Sequence, residues 1–465
     1  MIARTAIEER VREWGLSEEV VEKDYVLGWL LWAIGSEPAL NTTWIFKGGT
    51  CLKKCFIETY RFSEDLDFTV MPGGPIQAND LEPVLEKLVQ RIYDTSGIDC
   101  RERKPLLKTH SSGLYTEGRV YYRGPRNAPM VASVKLDLSA SEKIAHPTVI
   151  RKISHAFPDQ LPDPANVRCY AFEEIFAEKI RAMGERSRPR DLFDIVNLFR
   201  RSDLRSQPRL IRDVLLEKCN SKGVPMPTIE LVEASSHKGE LESEWENMLG
   251  HQLPSLPPFE GFFEELRNLF AWLTGTVEEQ VLQTVPCAEP VEPTETWSPA
   301  PTAWVWGKGV PLETVRFAAA NQLCVELGYQ GSTRLVEPYS LRRSKVGNLL
   351  LCAVKSATRE SRTYRVDRIQ SIKVSTKPFT PVFRIEFGAT GQIYAPYLAR
   401  PRASNPFPAR TRSSFSRPGT IYIIKCNYCQ REFKRRTLTY TLKPHMRGNR
   451  QCPSMVGHLV RTQYG

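Results

Sequence analysis

Two aspartates one residue apart, Asp65 and Asp67, are the side chains of this sequence best suited to hold divalent cations. If residues 65–70 form a strand, both carboxylates point to one face and the apolar residues between them to the other. Upstream, Gly48 and Gly49 break a short apolar run, so backbone amides there can approach an anion closely. Carboxylates beside such a turn can hold hard cations against a triphosphate.

An ordered series of elements must bring these groups together. Residues 44–46 are of strand type, and Thr50 is predicted to cap a helix over residues 52–59. An Asp-x-Asp pair alone also fits a solvated acidic strand, but the complete series favours a metal site for nucleotidyl transfer. Asp137, in a predicted strand over residues 131–138, is a candidate third carboxylate, with an edge-strand acid as the alternative.

Two helices further along carry charged groups beside apolar stripes. The helix predicted over residues 171–184 bears Lys179, and a second helix after Pro189 bears Asp191 and Asp194 on one side. Acidic residues early in a helix are also favourable without any function, because they meet the positive end of the helix dipole.

Near the C-terminus, Cys426, Cys429, His445 and Cys452 have the composition of a tetrahedral zinc site. The segment after residue 419 has little apolar content, so it would need such a structural metal in order to fold. The spacing predicts Zn²⁺ bound by these four residues, with His458 as a competing ligand.

Positive charge is concentrated in the same segment. The chain of 465 residues has a net charge of +11, and residues 401–465 contain 13 lysines and arginines but one acidic residue, which is +12. The remaining 400 residues therefore carry about −1, so a polyanion is expected to bind the tail rather than the body.

The other eight cysteines, from Cys51 to Cys352, are predicted to be reduced, buried thiols. No run of about 18 apolar residues occurs, so the sequence predicts no transmembrane helix. The first residues lead into a charged segment rather than an apolar signal core, so a cytoplasmic protein without membrane partners is expected.

Three motifs together resemble the AbiEii/AbiGii nucleotidyltransferase toxins, which are polymerase-beta-like enzymes of bacterial toxin–antitoxin and phage-defence systems. The motifs are EKDY at residues 22–25, FKGGT at 46–50 and RFSEDLDF at 61–68, and the resemblance extends over residues 15–235. Glu178-Lys179 followed by residues 190–194 (RDLFD) is similar to the later motifs of these toxins, in which the lysine contacts phosphates and the acids support or complete the cleft.

The resemblance implies transfer of a nucleoside monophosphate from an NTP to an acceptor, which it suggests is the 3′ end of tRNA, and a possible cognate antitoxin. Two Mg²⁺ ions would bind Asp65 and Asp67. The implied catalytic residues are Asp65, Asp67, Lys179, Asp191 and Asp194. The implied nucleotide-binding residues are Lys47, Gly48, Gly49, Thr50, Ser63 and Arg190.

Short predicted strands over residues 335–387 resemble a WYL domain, a small barrel-like sensor module of bacterial regulators and defence proteins. The stretch with Arg365, Asp367 and Arg368 fits that family, but residues 348–350 (NLL) stand where Trp-Tyr-Leu is usual. The basic side chains could bind nucleic acid or a nucleotide, or form a solvated strand face.

The predicted fold class is therefore α/β: an α+β nucleotidyltransferase domain with a helical lobe, a small β-barrel-like domain and a small zinc module. The predicted boundaries are residues 1–275 for the transferase, 276–301 and 396–418 for linkers, 302–395 for the WYL-like domain and 419–465 for the basic zinc module that would hold RNA.

Two other functions stay open. One is a nucleic-acid-binding regulator that senses a nucleotide without transferring it, and the other is a nucleotidyltransferase whose acceptor is a protein or a small molecule. Lys179, Asp191 and both front carboxylates argue against loss of activity, and the charge of the tail weakly disfavours a small-molecule acceptor.

Overall fold

The computed structural model describes residues 1–57, 61–202, 204–235, 238–276, 282–287, 291–293, 312–344, 348–386, 420–426, 428–435, 442–447, 450–452 and 457–464. The chain divides into two compact units, Met1–Pro396 and Tyr397–Gly465, and each is described by itself. In the described residues, no helix is long and apolar enough to cross a membrane.

A mixed seven-stranded sheet forms the centre of the first unit. Its strands lie in the order β3-β4-β5-β2-β1-β7-β6, with β2 parallel to β5, β1 parallel to β7 and the other pairs antiparallel. The strands are β1 (Trp44–Lys47), β2 (Asp65–Val70), β3 (Leu106–Thr109), β4 (Tyr115–Tyr122), β5 (Ala132–Ser139), β6 (Val149–Lys152) and β7 (Asn166–Cys169).

Eleven described helices accompany this sheet or follow it. They are α1 (Arg4–Trp14), α2 (Glu18–Gly35), α3 (Gly48–Cys51), α4 (Ala78–Ser96), α5 (Phe172–Arg186), α6 (Pro189–Arg200), α7 (Pro208–Lys222), α8 (Ile229–Ala234), α9 (Lys238–Ser243), α10 (Trp245–Leu249) and α11 (Phe259–Thr274). Helix α3 continues directly into a π-helical segment, Leu52–Phe56. Helices α5, α6, α7 and α11 pack together as a helical lobe, in which the rings of Phe193 and Phe262 stack 5.3 Å apart.

Ser17 caps the start of helix α2, because its hydroxyl accepts a hydrogen bond from the amide of Val20. The helix is buried along most of its length, and its charged residues Lys23 and Asp24 lie in ion pairs. Asp24 is buried and pairs with Lys54 at 2.8 Å, and Lys23 pairs with Glu64.

A second, antiparallel sheet lies later in the first unit. It contains β8 (Val291–Pro293), β9 (Leu323–Tyr329), β10 (Ser332–Ser344), β11 (Leu349–Lys355), β12 (Ser361–Arg365) and β13 (Ile369–Pro378). The order is β12-β11-β10-β9-β13, with β8 paired to one end of β10, and helix α12 (Leu312–Ala320) packs against it. The Arg365 guanidinium donates to the Asp367 carboxylate at 2.7 Å and to the side-chain amide oxygen of Asn348 at 3.2 Å.

Two sequence predictions are wrong in this region. Residues 282–287 and β8 were expected to be linker, but β8 pairs with β10, and Val285 is buried beside Tyr339 and Phe379. Cys287 and Cys352 were expected to be reduced, but they are joined by a disulfide across 65 residues. The apolar side chains of so short a segment show no periodicity, which is why sequence alone does not reveal the packing.

Helix α12, which packs against the second sheet, is hydrogen-bonded to helices α6 and α1 of the same unit. The Arg200 guanidinium, at the end of α6, donates to Glu265 and to the carbonyl of Ala320 at the end of α12, both at 3.0 Å. The Thr314 hydroxyl on α12 donates to the carbonyl of Glu13 on α1 at 3.2 Å. We retain as a proposal that the transferase domain ends at residue 275 and that the WYL-like domain begins at residue 302.

The second unit is a small β structure. Strands β14 (Thr420–Cys426), β15 (Glu432–Arg435) and β18 (Gly457–Tyr464) form a three-stranded antiparallel sheet, and β16 (Met446–Arg447) pairs with β17 (Arg450–Gln451). The predicted linker over residues 396–418 lies outside the described residues.

Candidate active site and zinc site

Three carboxylates lie on one face of the seven-stranded sheet. Asp67 on β2 is in register with Asp137 on the parallel strand β5 and with Lys47 on β1. Paired residues of neighbouring strands point to the same face, and Asp65 lies on that face two positions before Asp67. The sheet therefore brings together Asp65, Asp67 and Asp137, as the sequence suggested.

The electrostatics of these groups favour a cation. Burial raises the pKa of Asp67 to about 6, although the charge of Lys47 opposes the rise and Asp137 and Asp65 add to it. Burial and the Asp137 charge also raise the pKa of Asp65. A divalent cation would neutralise this repulsion, and the all-oxygen donor set is the one that Mg²⁺ prefers.

The three carboxylates lie farther from one another than the ligands of a preformed site for a single ion. In the described part of the chain, the groups of three or more side chains whose ligand atoms lie within 4.8 Å of one another are built on cysteines. Two ions about 3.5–4 Å apart, as in many phosphoryl-transfer sites, would need such a wider arrangement.

The Gly48–Gly49 turn packs directly against this face. Gly48 has a φ of 82°, and a β-carbon there would lie 2.5 Å from the Asp67 carboxylate. A β-carbon at Gly49 would lie 2.7 Å from the Arg61 guanidinium and 3.1 Å from the Ser63 hydroxyl. The positive φ of Gly48 favours glycine there, and a β-carbon at either position would force the Asp67 or the Arg61 side chain to shift.

Thr50 does not have the predicted role. The helix already begins at Gly48, and the Thr50 side chain is completely buried, with its hydroxyl donating to the Asp65 carbonyl at 2.5 Å. A phosphate contact through this hydroxyl is therefore excluded. Instead, Thr50 fixes the helix to strand β2 at the first carboxylate.

A buried ion cluster holds Lys179. Its ammonium lies 2.7 Å from Asp194 and 3.3 Å from Asp191, and its charge also acts on Asp67. Asp194 is fully buried and receives two hydrogen bonds from Arg61, at 2.6 and 2.8 Å. Asp194 therefore lies in the supporting position behind Asp191 that the sequence predicted, and its assignment to the catalytic set stays a prediction.

Asp191 is likewise buried, and the Arg186 guanidinium donates to it at 2.8 and 3.0 Å. Asp191 thus contacts Lys179 and Arg186, and its predicted place in the cleft stays a prediction. The charge of Arg190 acts on Asp65, which places this residue near the first carboxylate. Lys47 pairs with Glu142.

The second unit contains a group of four potential metal ligands. Cys426, Cys429, His445 and Cys452 present ligand atoms that all lie within 4.8 Å of one another. The sulfurs of Cys426 and Cys452 are 3.7 Å apart, close to the ~3.8 Å expected for two zinc–sulfur bonds of about 2.3 Å in a tetrahedron. The side chain of the competing ligand, His458, lies outside the described residues.

The orientation of His445 supports this assignment. Its Nδ1 lies 2.9 Å from the Lys443 carbonyl, and its Nε2 lies 3.3 Å from the Cys429 sulfur. A backbone carbonyl that accepts from Nδ1–H leaves Nε2 free of a proton and directed at the metal position. The four residues fit Zn²⁺.

Comparison with known proteins agrees with the geometry. A family model described as the nucleotidyl transferase AbiEii toxin of type IV toxin–antitoxin systems matches residues 29–270, just over half of the chain. The chain belongs to the AbiEii nucleotidyltransferase toxin family. Membership makes it a nucleotidyltransferase toxin of a type IV toxin–antitoxin system, and implies an NTP substrate and a cognate antitoxin.

Two further family models match downstream of the AbiEii region. A WYL domain matches residues 311–374, and a BED zinc finger matches residues 417–453. The resemblances to an AbiEii-type toxin, a WYL domain and a zinc-finger-like module are thereby confirmed, as is the mixed α/β fold class.

Among solved structures, MenT4, a nucleotidyltransferase toxin from Mycobacterium tuberculosis, is similar to the AbiEii-type chain over 59% of this chain and 90% of its own. The identity is 20% and the TM-score is 0.43. No curated protein sequence gives a significant match.

Several residues of the AbiEii-type cleft had no role assigned from the sequence. Arg61 belongs to a motif, but its partner Asp194 is 133 residues away. Glu142, the partner of Lys47, lies in a loop without any pattern. Tyr115 and Lys135 both donate to Asp137, at 3.1 and 2.8 Å. These contacts are visible only in the folded chain, because the partners lie far apart in the sequence or meet through strand pairing.

Proposed function

We propose that the protein transfers a nucleoside monophosphate from an NTP to the 3′ end of a tRNA and releases pyrophosphate. The observation that carries the proposal is the placement of Asp65, Asp67 and Asp137 on one sheet face beside the Gly48–Gly49 turn. In this reaction the acceptor hydroxyl attacks the α-phosphorus, and the bond between the α- and β-phosphates breaks.

The chain's own residues have distinct roles in this proposal. Asp65 and Asp67, with Asp137 beside them, would hold Mg²⁺, which neutralises phosphate charge and orients the leaving group. Gly48 and Gly49 allow the phosphates to approach the backbone, with Ser63, Lys47 and Arg190 around the cleft. Lys179 adds positive charge near Asp67, where negative charge develops on the triphosphate.

Incubation of the protein with each labelled NTP, Mg²⁺ and total bacterial RNA, followed by gel separation, tests the function directly. We expect label on RNA of tRNA length with one or a few of the four NTPs, and none after Mg²⁺ is removed with a chelator. Label on a protein band would identify a protein acceptor. Binding of NTP without any labelled product would favour the nucleotide-sensing regulator instead.

Lys179→Ala is expected to weaken use of the triphosphate by about 10- to 100-fold, because it removes a charge placed beside the phosphates. Lys23→Ala should have a smaller effect, since Lys23 pairs with Glu64 at the rim of the site. The measurement is kcat/KM for the NTP at fixed RNA. Equal losses in the two variants would contradict the role of Lys179.

We further propose that the tail of +12 charge binds RNA through the zinc module. Cys426→Ser should lose one zinc equivalent and weaken RNA binding, with a shallower dependence on salt, because fewer phosphates are contacted. Metal content by mass spectrometry and RNA affinity at two salt concentrations check this. Cys100→Ser, which removes a buried thiol outside this group, is the control and should leave both values unchanged. An unchanged salt slope in Cys426→Ser would remove the RNA role from the tail.

The WYL domain is proposed to restrain activity until it binds a signal. Helix α6 supports this role, because Asp191 and Asp194 lie near its start and Arg200 at its end contacts α12 of the WYL domain. We also propose that the protein acts in the cytoplasm and in defence against phage, where tRNA modification would stop translation of phage proteins.

A further inference from the structure

A second group of potential metal ligands lies in the first unit, away from the carboxylates. Cys51 at the end of α3, Cys55 in the π-helical segment and Cys169 at the end of β7 have sulfurs that all lie within 4.8 Å of one another. At most 4% of each residue is exposed. Cysteines used as small apolar residues need no mutual contact, so convergence of three sulfurs from three elements calls for another explanation.

We propose that Cys51, Cys55 and Cys169 form a buried site for one thiophilic divalent ion, such as Zn²⁺. Three thiolates are soft ligands that select such ions over Mg²⁺. Binding would release the three thiol protons to solvent, and the complex of one M²⁺ with three thiolates has a charge of −1.

A compensating charge lies next to this site. The guanidinium of Arg151 lies over the ring of Phe56, the residue after Cys55, at 4.8 Å from the ring centre. The complex and Arg151 are neutral together, which meets the requirement for a charge that is buried.

The position of the site gives the ion a mechanical role. Cys169 on β7 pairs with Phe46 on the neighbouring strand β1. Phe46 lies two residues before Gly48. Cys51 lies two residues after Gly49. An ion bound there would join β7 to the segment that follows the phosphate turn, and so would hold that turn in place. π-Helical turns such as Leu52–Phe56 are rare and are often found at functional positions.

The test counts ions in the full-length protein, purified with reductant, loaded with Zn²⁺ and dialysed. Native mass spectrometry should show two ions in the wild type, one in Cys169→Ser, one in Cys426→Ser and none in the double variant. Cys219→Ser removes a buried thiol outside both groups and should keep two. With Cd²⁺ in place of Zn²⁺, the thiolate charge-transfer absorption should fall by about half in Cys169→Ser.

If Cys169→Ser does not fold, the Cys426→Ser protein alone decides the question. It should retain one Cd²⁺ whose ¹¹³Cd resonance indicates sulfur ligands without a histidine nitrogen. Absence of any ion from Cys426→Ser would overturn the proposal. A disulfide between two of the residues Cys51, Cys55 and Cys169, found by peptide mapping of the loaded protein, would also overturn the proposal. Neither outcome depends on nucleotide transfer, so failure here and failure of the proposed function are separate results.

Discussion

Asp67→Asn is expected to reduce nucleotide transfer by at least about 100-fold while the protein remains folded. The substitution keeps the shape of the side chain but removes a charge that the cations need, and such contributions amount to several kcal/mol. Asp67 is the carboxylate in register with both Lys47 and Asp137, so its loss affects the centre of the row. Transfer is measured with labelled NTP, and folding by circular dichroism.

A matched control separates this effect from a general change of acidity. Glu102→Gln neutralises an exposed carboxylate that pairs with Arg123 at 2.6 Å, away from the cleft. Its transfer rate should match the wild type. If Asp67→Asn retains near-normal transfer, or if Glu102→Gln loses as much activity, the metal site assigned to this face is wrong.

Asp194→Asn is expected to destabilise the first unit by about 3–5 kcal/mol, the usual cost of breaking a buried ion pair. The variant leaves Arg61 and Lys179 buried with a neutral partner in place of a carboxylate. The measurement is the denaturant concentration at the midpoint of unfolding of the first unit. It is followed by fluorescence from the nucleotide site or by NTP binding, because the chain has more than one folded unit. Asp99→Asn breaks the exposed pair with Arg101 and should cost at most about 1 kcal/mol.

The same pair predicts how stability depends on pH. Burial alone would raise the pKa of Asp194, but Arg61 and Lys179 hold it well below its usual range. A carboxyl with a lowered pKa in the folded state stabilises the protein at neutral pH, and this contribution is lost as the pH falls below about 4. The stability of Asp194→Asn should therefore approach that of the wild type in acid. An equal difference at pH 7 and at acid pH would contradict the assignment.

Local patterns in the sequence were sufficient for part of the site. The alternation of Asp65 and Asp67 with apolar residues requires that both carboxylates share a face, whatever the sheet order. The glycine pair and the Cys-x-x-Cys knuckle are likewise local signals with a direct physical meaning. Thr50 shows the limit of such signals, because a threonine after two glycines fits a helix cap as well as a buried tie to β2.

Long-range pairing accounts for what the sequence did not show. The partners Arg61 and Asp194, Lys47 and Glu142, and Cys287 and Cys352 are far apart in the sequence and meet only in the folded chain. Nothing in the spacing of Asp191 and Asp194 distinguishes a carboxylate that faces substrate from one that holds a lysine. Burial decides between them, and burial is a property of the folded lobe rather than of the motif.

Contacts at both ends of helix α6 constrain the number of residues between Asp194 and Arg200. From Asp194 to Arg200 the helix rises about 9 Å, and the insertion of one residue between them would turn one end against the other by about 100°. Either Lys179 would lose Asp194 or the carbonyl of Ala320 would lose Arg200. The six-residue separation of Asp194 and Arg200 is therefore fixed by the contacts that each of them makes. A descendant that lost the second sheet would be released from this constraint, and insertions in α6 would then cease to be costly.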